Sequence, residues 1–140
     1  MAAVKTRIKT DELGQLDRAA FWRYAVYVVD QAKYRANRGG FPFGITAHDL
    51  DKLFVDQGWR CAVSGSLFVA PGTKVNQWHR HPFGPSVDRI VPNLGYMPGN
   101  IRIVTNMVNA ALSNWGEQAF RLMIADYVEW EYLHKKLDYR

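Results

Sequence analysis

The chain has 140 residues, one cysteine, a formal net charge of +5 and a sequence pI of about 9.5. That length fits a single domain (1–140) with its own hydrophobic core, and the lone Cys61 excludes an internal disulfide and suits a reducing cytoplasm. No run of 18 apolar residues occurs, and Met1-Ala2-Ala3-Val4-Lys5 opens no apolar signal-peptide core, so no membrane partner is expected.

In chain order, residues 1–10 alternate basic and small side chains and read as a loose arm or edge strand. Residues 12–37 read as a long helix: Leu13, Leu16, Ala20, Tyr24 and Val28 recur at helical spacing, widened by Phe21, Ala25, Val29 and Ala32. Gly39-Gly40 ends it. Thr46 is placed to cap a second helix, with Asp49 three residues on and Leu50, Leu53 and Phe54 facing inward, and Gly58 stops it. These two helices form an N-terminal helical part, 12–58. Trp59 to Val63 and Leu67 to Val69 then read as short strands about a Ser64-Gly65 turn. Residues 70–85, rich in Pro, Gly, Asn and His, read as a loop. Ser86 to Val91 is a further short strand, turned by Pro92-Asn93-Leu94-Gly95. From Asn100 the spacing of Ile101, Val104, Val108, Ala111 and Leu112 predicts a helix, broken at Ser113-Asn114. A last helix, 116–137, carries Phe120, Met123, Ile124, Tyr127, Trp130 and Leu137 on one face. The amphipathic end helices are expected to pack together over the centre of an α+β fold.

The charge is unevenly spread. Residues 61–115 hold four basic residues (Lys74, Arg80, Arg89, Arg102), the histidines His79 and His81, and a single acid, Asp88. One carboxylate isolated among cations, in a stretch of turns and short strands, is the pattern of a metal or anion site. The basic surplus suggests a polyanionic partner.

The spaced set Pro85-Ser86-Val87-Asp88-Arg89-Ile90, Gly95-Tyr96, Gly99-Asn100-Ile101-Arg102-Ile103-Val104 and Asn109 resembles the small HNH (His-Me finger) endonucleases, many of them from phages and mobile elements. The resemblance covers 61–115. It implies a ββα-metal finger at the centre, flanked by the N- and C-terminal helices, in a bacterial or phage-infected cell. It also implies a metal-dependent DNA endonuclease acting on a phosphodiester, most simply of double-stranded DNA. Asp88 and Asn109 match the family's metal ligands, and their oxygens suit Mg²⁺ or Mn²⁺. Asn100 matches the residue that tethers the intervening loop. Double-strand cutting would call for a homodimer.

Two departures stand out. Arg89 occupies the place of the catalytic histidine and cannot accept a proton near neutral pH; it is cast instead as a grip on the scissile phosphate. His81, on the loop feeding the Asp88 strand, is the candidate general base. The family's zinc knuckle of two Cys-x-x-Cys pairs falls here on Cys61-Ala62-Val63-Ser64 and Thr105-Asn106-Met107-Val108. Three of its four ligands are missing, so no structural zinc is expected and apolar packing by Val104 and Val108 must replace it. Arg80, His79 and Arg102 are candidate phosphate contacts, and Trp78 a candidate base-stacking ring.

Ordinary alternatives accompany each residue. Asp88 can pair with Arg89 or Arg102 across a hairpin, Asn100 can cap a helix, Asn109 and Arg102 can be solvated, and His81 can be a surface histidine. The rival function is a nuclease-derived protein that no longer cuts and binds DNA or another protein, for example as an inhibitor.

Overall fold

A computed structural model describes residues 16–76 and 80–134. The fold is α+β: helices α1 (Arg18–Gly39) and α2 (Ala47–Asp56), strands β1 (Pro85–Arg89) and β2 (Ile101–Thr105), and helices α3 (Asn106–Leu112) and α4 (Glu117–His134). A 3-10 turn, Pro92–Leu94, lies between the strands. None of the described helices is long and apolar enough to cross a membrane.

Helix α1 begins later than its apolar spacing suggested. The Asp17 carboxylate accepts from the Ala20 amide at 3.0 Å and sets the start, leaving Leu16 exposed. Gly40, in the left-handed region at φ 71°, closes the helix with its amide on the Ala36 carbonyl. The buried face is small: Ala20, Ala25, Ala32 and Ala36 with Phe21. This lets α2 approach closely. Thr46 and Asp49 form a reciprocal capping box at the start of α2, with the Asp49 carboxylate 2.8 Å from the Thr46 amide. Leu50 and Phe54 then point at α1 and the sheet.

The chain leaves α2 through Gly58 and Trp59, both at positive φ (63° and 61°). A tryptophan there carries backbone strain. Its ring recovers contact by stacking on Phe54 at 5.7 Å and meeting Phe21 edge-on at 5.0 Å. The two short strands expected from 59 to 69 reduce to one antiparallel bridge, Arg60 to Leu67.

The largest departure from the expected elements is at Ile101–Thr105, which is strand β2 rather than the start of a helix. It pairs antiparallel with β1, Pro85 opposite Thr105 and Asp88 opposite Arg102. Ile101, Ile103, Val104 and Thr105 are all buried, so no alternation betrays the strand, and β-branched residues favour it. Asn100 sits before this strand and not at a helix start. Its Oδ1 accepts from the Val91 amide (3.0 Å), and its Nδ2 donates to the carbonyls of Val91 (3.0 Å) and Gly95 (2.7 Å). Gly95 is required on its own account. A Cβ there would lie 2.2 Å from the Pro42 carbonyl oxygen, where the chain 42–44 bridges to Tyr96.

Two adjoining clusters make the core. One gathers Phe21, Phe54, Phe68, Ile103, Val104, Val108 and Leu112 with Cys61; the other gathers Ala25, Ala32, Ile45, Leu50, Tyr96 and Ile101. Helix α4 adds only Phe120 to the first. Its Met123, Ile124, Tyr127 and Trp130, expected to cover the centre, are exposed, and Leu137 lies outside the described residues.

Replacing Asn100 with Ala strands three backbone groups of the β1–β2 connection. Each lost bond to a partly buried group costs on the order of 1 kcal/mol, so Asn100→Ala is expected to lower unfolding stability by about 2–3 kcal/mol in urea titration, with the m-value unchanged.

Candidate functional site

The geometry of the sheet sorts the candidate residues. Side chains alternate along a strand, so Ser86 and Asp88 share one face of β1, and Val87 and Arg89 the other. Helix α3 follows β2 with no intervening loop, Thr105 being both the last ladder residue and the N-cap, with its Oγ1 accepting from the Val108 amide at 3.2 Å. The first turn of α3 is bonded to the loop before β1. The Asn106 amide donates to the Gly84 carbonyl (2.8 Å), the Met107 amide to Pro82 (3.0 Å), and the Asn106 side chain to His81 (2.9 Å). Gly84 leaves room for this; a Cβ would stand 2.8 Å from Asn106 Nδ2. One turn further on, Asn109 Nδ2 donates to Ser86 Oγ at 2.8 Å. Asn109 therefore meets β1 on the face that carries Asp88.

Asp88 is also engaged. Its Oδ2 accepts from Arg102 Nε at 2.9 Å, and Arg102 Nη1 donates to Glu117 Oε2 at 2.8 Å. The trio is half-buried, and Arg121 pairs with Glu117 from the solvent side. Burial alone would lower the Arg102 pKa, but the carboxylates of Glu117 and Asp88 hold it above its ordinary value. Arg102, backed by Arg121, in turn holds the Glu117 carboxyl below the usual range. Arg102 is thus a clasp between β2 and α4, and its bond to Asp88 is the cross-hairpin pairing that stood as the alternative to a metal role for Asp88.

Arg89 lies on the opposite face. Its guanidinium rests over the rings of Phe41 (4.4 Å) and Tyr96 (5.2 Å), and Nη1 donates to the Pro92 carbonyl at 3.2 Å. In this position it braces the turn after β1. His81 is fully buried, against the alternative of a surface histidine. Its Nδ1 accepts from the Phe83 amide at 3.1 Å, which occupies the lone pair that a base at that nitrogen would use. It lines a cavity with Arg80, Tyr24 and Asn106, a lining that does not include Asp88. Trp78 and His79 lie outside the described residues.

Cys61, Ser64, Thr105 and Val108 lie near one another. Cys61 Sγ accepts from the amides of Ser64 and Thr105, both at 3.4 Å, and Cys61 and Val108 share one core cluster. Burial pushes the thiol's pKa up, but hydrogen bonds from Ser64, Val63 and Thr105 outweigh it and leave the group below its ordinary value. One thiol, two hydroxyls and a valine do not make a zinc site.

Asp88 and Asn109 carry oxygen donors of the kind that a hard cation takes. With Oδ2 on Arg102 and Asn109 Nδ2 on Ser86, the oxygens Asp88 Oδ1 and Asn109 Oδ1 remain for a ligand. They come from two different elements, β1 and α3. Among the described residues no group of three or more His, Cys, Asp or Glu side chains clusters as a fuller cage.

Sequence reasoning missed Ser86 and Glu117. Ser86 was legible, since it stands two residues before Asp88 on the same strand face. Glu117 was not, because only folding brings α4 beside β2.

Two expectations follow from the clasp. Arg102→Ala leaves Asp88 and Glu117 facing each other in a partly dry site and is expected to cost about 2 kcal/mol in urea unfolding. Because the folded Glu117 pKa lies below its ordinary 4.5, its stabilisation is complete above that value and is lost as pH falls through the lower folded value. The stability difference between wild type and Glu117→Gln should therefore be flat from about pH 7 to about pH 5 and close only below that.

No family model matches the chain, and no curated protein and no solved structure matches it.

Proposed function

We propose that the protein is a divalent-metal-dependent DNA endonuclease of HNH type with an altered site, built on a ββα-metal finger formed by β1, β2 and α3. The observation that carries this reading is the Asn109–Ser86 bond. It brings the helix asparagine to the strand face of Asp88, the pairing that the HNH resemblance assigns to the metal. The convergence of Cys61, Ser64, Thr105 and Val108 supports the same ancestry, since these are the four knuckle positions.

Asp88 and Asn109 would hold Mg²⁺ or Mn²⁺, which when bound supplies charge neutralisation for the phosphodiester and a more acidic water. Arg102 fixes the Asp88 carboxylate, and Glu117 fixes Arg102. Asn100 keeps the β1–β2 connection in shape. Arg89 acts through its stack on Phe41 and Tyr96 as a positioning residue, and the buried His81, whose Nδ1 is occupied by the Phe83 amide, holds the loop before β1. Exposed cations such as Arg80 contact the DNA backbone.

A second reading is favoured by one observation, the Asp88–Arg102 ion pair. An aspartate already neutralised by arginine suits a nuclease-derived protein that binds DNA, or another protein, without cutting.

Plasmid nicking with Mg²⁺ or Mn²⁺ separates the two. Loss of a metal ligand forfeits several kcal/mol of transition-state stabilisation, so Asp88→Ala is expected to slow nicking by about a hundredfold or more while leaving DNA affinity within about threefold. Wild-type protein that binds DNA with a steep salt dependence and never nicks it would establish the second reading. An affinity flat with salt would exclude DNA as the partner.

A further inference from the structure

A cavity of about 220 Å³ opens between α1, the 71–74 turn and the segment leading into β1. It is separate from the Asp88–Arg102–Glu117 clasp, none of whose residues lines it. Its wall carries Arg35, Lys74 and Arg80 and, among the described residues, no aspartate or glutamate. Lys74 and Arg80 are direct partners in an antiparallel bridge. Two like charges placed opposite each other in such a pair repel, and neither they nor Arg35 forms an ion pair among the described residues. Tyr24, which lines the same cavity, donates its hydroxyl to the Pro85 carbonyl at 3.0 Å at the start of β1. Three cations from two parts of the chain thus surround one small space beside the strand that bears Asp88.

We propose that this cavity binds a phosphate group, carried either by a nucleic-acid backbone or by a free phosphate monoester. The cavity is smaller than the about 300 Å³ at which sites for drug-sized ligands begin, which suits one phosphate and part of its sugar. Arginine forks and a lysine point charge match phosphate oxygens. An acidic peptide would offer single carboxylates, leaving most of this positive charge unmatched. The nucleic-acid source rests on the nuclease reading above; the affinity for phosphate does not.

The test is an amide chemical-shift titration of the full chain without metal, first with inorganic phosphate and then with a short DNA duplex. Wild type is compared with Lys74→Gln/Arg80→Gln and with Lys33→Gln/Arg38→Gln, which removes the same charge from exposed positions of α1 outside the cavity. Inorganic phosphate should shift the amides of Thr73, Gly84 and Ser86. Its affinity should fall about tenfold in the cavity variant and stay within about twofold in the control. Arg35→Gln, from the other wall, should weaken it too, which keeps the test valid if the double variant folds poorly. A duplex that moves the same amides assigns the phosphate to a nucleic-acid backbone. A duplex that leaves them unmoved, while phosphate moves them, assigns it to a free monoester. Equal weakening in both double variants, unmoved cavity amides, or an acidic peptide binding there in place of phosphate would overturn the proposal. Plasmid nicking by the same proteins is read separately, so a wild type that never nicks but binds phosphate in the cavity would sink the nuclease reading alone.

Discussion

Strand β2 runs into α3 without a loop, and one residue makes that join. Thr105 closes the ladder opposite Pro85 and caps the helix with its own hydroxyl. Its amide also donates to the Cys61 thiol. With no slack between strand and helix, α3 must fold back over the hairpin, and the contacts of its first turn with Pro82 and Gly84 fix the angle. Everything at the candidate site depends on this constraint. Asn109 reaches Ser86 because the helix starts where it does, and Asp88 lies near because it is two residues further along the same strand.

The charges complete the arrangement. The region from 61 to 115 contains one acid among cations, and the fold supplies a second from α4. Arg102 between Asp88 and Glu117 does two jobs at once. It holds α4 to the hairpin, and it orients the only carboxylate on the strand. With Arg121 also on Glu117, the two arginines and two carboxylates balance. Arg89 is removed to the other face, where aromatic rings and a backbone carbonyl hold it. The position that the HNH resemblance reserves for a histidine thus serves the stability of the connection after β1.

Legibility in the sequence followed the range of the interactions. The capping box of Thr46 and Asp49 and the helix end at Gly39–Gly40 were readable because they are local. The loop tether by Asn100 was named only through the family resemblance. Strand β2 was not readable. Ile101, Val104 and Val108 fit a helical period, and burial on both sides of the sheet erased the alternation that marks a strand. The true element switch falls at Thr105–Asn106, where a capping threonine was the available signal. Helix α4 was readable as amphipathic, but periodicity cannot say what covers an apolar face. Its exposed Met123, Ile124, Tyr127 and Trp130 show that the body of the fold does not. The partnership of Arg102 with Glu117 and the burial of His81 depend on tertiary packing alone.

The proposed metal site joins Asp88 of β1 to Asn109 of α3. Crystals grown or soaked with Mn²⁺, with anomalous scattering collected at the manganese edge, test it most directly. The expected result is one peak at about 2.2 Å from an oxygen of Asp88 and from Asn109 Oδ1, absent in Asp88→Ala. A crystal with Mn²⁺ bound elsewhere, and Asp88 still held by Arg102 with no ion beside it, would contradict the account.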